Sequence, residues 1–141
     1  MRQLVLCGDL RYVILVIGGV TVGDIYLELT VASIRRPECC REVSFLVDTG
    51  ATRAWLPEDL AAELGIAAEG TVALEMADGT VKEFPYGFCL FSFGGETVAG
   101  NVVIGPRGTE PLVGTHVLQD FRLVIDMDRH TISRRRAMRA R

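Results

Sequence analysis

The chain lacks any cysteine framework. Its four cysteines are Cys7, Cys39, Cys40 and Cys89, and the adjacent pair cannot readily reach disulfide geometry. No two cysteines are separated by two residues, and His116 and His130 are distant in sequence. Zinc-type ligand spacing is therefore missing, and no metal site is expected. Reduced thiols imply a reducing compartment, which favours a cytoplasmic protein. Residues 12–22 are apolar but too few to cross a bilayer, which takes about 20 apolar residues, so no membrane span is expected. Arg2 and this short apolar stretch leave open export or membrane association through residues 1–22, although Asp9 interrupts the pattern. Repeats and low-complexity segments are absent, which excludes disorder except at the ends. No basic patch with interleaved aromatics occurs, so nucleic acid is not an expected partner. Five arginines crowd residues 134–141, and the net charge of −3 leaves the rest of the chain clearly acidic. Residues 133–141 read as a solvated Arg-rich tail, with attraction to an anionic surface as the alternative.

What remains suits one domain of 141 residues with a modest core. Strand patterns dominate. From Asp24 to Val31 apolar and polar residues alternate, placing Ile25, Leu27, Leu29 and Val31 on one face. Residues 34–41 read as a hairpin loop, and residues 42–48 as a strand that becomes continuously apolar as it enters the core. Residues 71–76 alternate into an Asp78-Gly79 turn, a strong hairpin signal, and residues 88–93 form a core strand before Gly94-Gly95. Residues 123–126 give the last strand. One helix is predicted over residues 57–65, with Pro57 at its start, acids in the first turn, Leu60 and Leu64 on one face and Gly65 as its stop. A further helical turn falls around residues 116–120. Short strands at this spacing predict an all-β barrel.

The most informative stretch is Ser-Phe-Leu-Val-Asp-Thr-Gly-Ala-Thr at residues 44–52. An apolar strand ends in Asp48, and a tight turn follows at once. Burying a carboxylate costs several kcal/mol unless it is paired, hydrogen-bonded or protonated. A structural reading makes Asp48 a cap for its own turn. A functional reading makes it an acid or base.

Hydrophobic-hydrophobic-Asp48-Thr49-Gly50-Ala51 resembles the active-site signature of retropepsin-like aspartic proteases, the retroviral and bacterial clan AA type. Leu112-Val113-Gly114, roughly sixty residues on, resembles the element that supports the active-site loop. The resemblance spans about residues 20–130. It implies an acid-protease closed barrel over residues 19–132, with one lobe per chain and one short helix after the active-site loop. Residues 1–18 fall outside it, as a leader or an extra strand. It further implies an aspartic endopeptidase without a cofactor, acting on a peptide or protein substrate as a homodimer. Each subunit of that dimer contributes Asp48 as the catalytic group.

By the same resemblance Thr49 would bond across the dimer axis, Gly50 and Ala51 would leave room at the carboxylate, and Thr52 would bond its outer oxygen. Met76, Ala77, Asp78, Gly79 and Thr80 would form a flap over the substrate, although viral flaps are Gly-rich at the tip. Thr115-His116 stands where the viral enzymes carry an Arg that tethers the loop. Trp55 is read as a core or interface residue. The alternative function is a protease-like dimerisation or peptide-binding module without turnover.

Overall fold

Strand β3 (Val20–Ser33) organises the molecule, seen here in a computed structural model that describes residues 2–7, 10–17 and 20–137. Its alternation is realised as expected, since Ile25, Leu27, Leu29 and Val31 are all buried against the core. Along one edge β3 pairs antiparallel with β4 (Cys40–Val47). Its opposite edge is shared. The first half pairs with β2 (Leu10–Ile17), which is itself paired with β1 (Arg2–Cys7). The second half, from Thr30 to Ser33, pairs with β7 (Val81–Phe93).

That last pairing closes a barrel. The remaining strands are β5 (Ala54–Pro57), β6 (Gly70–Glu75), β8 (Glu96–Gly105) and β9 (Leu112–Val113). The ring runs β3, β4, β9, β5, β8, β7 and back to β3. Parallel pairs β4–β9 and β5–β8 sit inside it, and β6 extends the sheet as a hairpin with β7. The enclosed core is aliphatic and aromatic, with Phe45 and Phe91 meeting edge to face at 6.0 Å. Burial of such side chains stabilises the fold by about 1.5–3 kcal/mol each.

Two helices stand outside the ring. The first, α1 (Glu58–Leu64), begins after Pro57, carries Glu58 and Asp59 in its first turn and ends at Gly65 in the left-handed conformation (φ 73°). Its buried contacts are Ala61 and Leu64, with Leu60 only partly covered. The second, α2 (Thr115–Asp120), fulfils the helical turn expected near 116–120 and buries Val117 and Leu118. No described helix is long and apolar enough to cross a membrane.

The chain ends in a separate two-stranded ribbon, β10 (Leu123–Asp126) with β11 (Thr131–Arg134). Ser133 and Arg134, the first residues of the Arg-rich segment, thus belong to a strand. Glu96 explains why. Its carboxylate accepts hydrogen bonds from Arg122 and Arg134, and the Arg134 guanidinium also lies 4.7 Å from the centre of the Phe93 ring. Residues 138–141 lie outside the described residues.

Candidate active site

Asp48 follows directly on β4, whose inward residues Phe45 and Val47 are buried. The main chain fixes its position. Leu46 N–H donates to the Pro111 carbonyl at 2.9 Å, and Asp48 N–H donates to the Val113 carbonyl at 3.0 Å. The backbone then turns sharply, with Ala51 N–H donating to the Asp48 carbonyl at 3.2 Å. This turn brings Gly50 N–H to the Asp48 carboxylate, where it donates to Oδ1 at 2.9 Å. A hydrogen bond to an ionised acceptor is stronger than one between neutral groups. A Cβ on Gly50 would lie 3.2 Å from that same oxygen, so a side chain there crowds the carboxylate.

The loop is tied from behind. β9 is inserted between β4 and β5, and Gly114 follows it. Thr115 N–H donates to the Ala51 carbonyl at 2.9 Å and His116 N–H to the Thr52 carbonyl at 3.1 Å. The first amides of α2, which have no partner inside the helix, thereby satisfy two loop carbonyls. Main-chain bonds from Thr115 and His116 do the tethering at the position where the viral enzymes carry an Arg. Among the described residues Asp48 Oδ1 is the acceptor for Gly50 alone, and no bond joins Thr52 to the carboxylate. Thr49 and Thr52 are exposed and Ala51 is half-buried. His116 is exposed and takes no part in lining the cleft at Asp48.

The hairpin of β6 and β7 turns at Ala77-Asp78-Gly79, as expected. Met76 N–H donates to the Thr80 carbonyl at 2.7 Å, and Gly79 adopts φ 83°. Asp78 pins the tip by accepting from the Thr80 hydroxyl at 2.6 Å and the Thr80 amide at 2.9 Å. The hydroxyl, then the amide, hold its carboxyl below the ordinary carboxylate range.

Between loop and hairpin lies an open cleft of about 500 Å³. Asp48 and residues 50–53 line one side, with Trp55 and Leu112 beside them; residues 74–77 line the other. Of the five residues expected in the flap, Met76 and Ala77 reach the cleft, whereas Asp78, Gly79 and Thr80 form the tip beyond it. Trp55 does not lie in the core. It is half-buried in the cleft wall, with its ring edge to face against Phe84 at 4.9 Å. Arg53, Leu74 and Glu75 were not anticipated as cleft residues. The period of β5 could have revealed Trp55. Ala54 and Leu56 face the core, so Trp55 between them faces the other way, and Arg53 stands in the bend just ahead.

Among the described residues no cluster of His, Cys, Asp or Glu has the arrangement of a metal site. The chemistry available is that of a carboxylate beside an extended groove, facing a hairpin.

Comparisons with known proteins agree with this geometry. The chain is similar to a retropepsin-like aspartic protease from Rickettsia conorii, at 21% identity and a TM-score of 0.51, over 74% of this chain and 77% of that one. It is also similar to the retroviral protease-like domain of Ddi1 from Leishmania major, at 17% identity and a TM-score of 0.53, over 82% of this chain and 91% of that one. At such identities these likenesses establish the fold. A search of curated protein sequences gives no match. The sequence profile of the gag-polyprotein putative aspartyl protease family matches residues 40–120, which carry the Asp48 loop, the hairpin and the β9 support. By that match, on this fold, the chain belongs to the retropepsin-like aspartyl protease family.

Proposed function

We propose that the protein is an aspartic endopeptidase that cleaves an extended peptide as a homodimer, with one Asp48 from each subunit. The observation that carries this reading is the Asp48 carboxylate itself. It lies in the cleft, is held by Gly50 N–H and is rigidly backed by β9. Amide hydrolysis needs a base to take a proton from water and an acid to protonate the carbonyl oxygen. Two carboxylates about 3 Å apart cannot both ionise, so they share one proton and supply both roles, as is general for aspartic proteases. This chain has a single Asp-Thr-Gly, and a two-fold axis beside the exposed Thr49 would supply the second. A water activated between the two carboxylates attacks the scissile carbonyl. The β6–β7 hairpin closes over the substrate and excludes bulk water.

The test compares the protein with Asp48→Asn on a diverse peptide pool between about pH 3 and 8, with and without pepstatin. Cleavage should fall by at least about 10²-fold in the variant. Sedimentation should show a dimer whose dissociation abolishes turnover. Equal cleavage by both proteins would overturn the reading.

One observation favours a second reading, a peptide-binding or dimerisation module without turnover. The hairpin tip is pinned by Asp78 and Thr80, an arrangement suited to a fixed wall rather than a moving flap. Peptide binding without cleavage, in protein that sediments as a dimer, would select it.

A further inference from the structure

Arg53 sits in the cleft in a way that the hydrolytic chemistry does not require. The residue follows the Asp48 loop and precedes β5, where Ala54 and Leu56 point into the core with almost no exposure (1% and 0%). Period-two geometry turns Trp55 to the opposite side, and Arg53 stands in the bend just ahead of the strand; both line the cleft that contains Asp48. Arg53 is half-buried there. Among the described residues it forms no ion pair, although Asp48 and Glu75 line the same cleft. The guanidinium is therefore an available cation, its backbone lying between the tethered Thr52 carbonyl and the first residue of β5. Beside it stands the Trp55 ring, braced by Phe84.

A planar guanidinium presents a fork of N–H donors that matches a carboxylate, and it does so best where water is partly excluded. Glu75 has the opposite preference, but it is exposed at the end of β6 and more strongly screened. We propose that Arg53 is a specificity residue that selects peptides carrying an aspartate or glutamate side chain near the scissile bond. Trp55 packs against the aliphatic part of that side chain or its neighbour. The inference rests on the cleft being the peptide-binding groove of the proposed protease. In a two-fold dimer each subunit contributes one Arg53, so the preference falls on both sides of the cleaved bond.

The experiment uses matched peptides differing only by Asp or Glu against Asn, Gln or Lys at each position flanking the cleaved bond. Wild type should favour the acidic peptide by about tenfold in kcat/KM, the scale of one charge-assisted hydrogen bond. R53Q should bring that ratio close to one, and R53E should turn it in favour of Lys. Thermal unfolding of each variant reports that it is folded. Binding is read separately in Asp48→Asn protein, because Trp55 is the only tryptophan and its fluorescence reports cleft occupancy without turnover. Acidic and neutral peptides treated alike at every position, in cleavage and in binding, overturn the assignment of Arg53. So does a preference that survives R53E. Absence of all cleavage, with acid-selective binding intact, would instead reject the protease reading and retain the role of Arg53.

Discussion

Gly114 lies against the main chain of Ala51 so closely that no side chain fits between them. A Cβ on Gly114 would overlap the Ala51 carbonyl oxygen and lie 2.7 Å from the carbonyl carbons of Ala51 and Thr52. Because the obstacle is backbone, nothing flexible can move aside. Gly114→Ala should therefore push the Asp48 loop away from its support. Overpacking of this kind costs about 1–3 kcal/mol. Urea unfolding should show a loss in that range, and peptide binding or cleavage should fall further than stability does. A variant with wild-type stability and activity would show that the loop is not held by this contact.

Glu96 connects the β7–β8 turn to the C-terminal ribbon, and its protonation should loosen that connection. Its carboxyl is held below the ordinary range, first by the Arg122 hydrogen bond and then by the charges of Arg134 and Arg122. The folded pKa is thus lower than the unfolded value of about 4.3. The unfolded state binds more protons over the interval between them. Stability from this group is fully present above the unfolded value and is lost as pH falls through the folded one. Glu96→Gln should be less stable than wild type at neutral pH and should lose less on acidification. Thermal midpoints of both proteins from about pH 3 to 7 should converge at the acid end. Added salt should shrink the gap, because the carboxylate is partly exposed.

Cys89 and Cys40 should differ sharply towards an alkylating reagent. Cys89 is buried, and desolvation pushes its thiol up to about 12, so almost no thiolate exists at neutral pH. Cys40 is exposed at the start of β4. Native protein treated with iodoacetamide near pH 8 should be modified at Cys40, with Cys89 protected until the protein is unfolded by denaturant. Peptide mass mapping assigns each site. Rapid native labelling of Cys89 would mean that the β3–β7 seam opens readily.

The parts of this molecule that were legible in the sequence are those governed by local periodicity. Alternation in β3, the Asp78-Gly79 turn, and the Pro57 and Gly65 ends of α1 each follow from neighbours a few residues away. Ring closure does not. Thr30 meets Ser92 and Val47 meets Val113 through pairings whose partners are distant in sequence, and nothing in either strand alone names the other. The site shows the same division. Asp48 stands out because it interrupts an apolar strand just before a Thr-Gly turn, whereas nothing local marks Arg53 as a cleft residue. Trp55 invites a core reading because a lone aromatic near a core strand is usually covered. Here the face of β5 on which it lies is the inner surface of the cleft.

The insertion of β9 between β4 and β5 also governs when this site can exist. A ribosome completes Asp48 and its turn long before it reaches Val113, whose carbonyl holds the Asp48 amide in place. Until that late segment is made and pairs with β4, the Asp48 amide lacks its acceptor and the acidic loop its floor. A chain truncated ahead of residue 112 would carry every atom of the Asp-Thr-Gly signature and yet have nowhere to seat it.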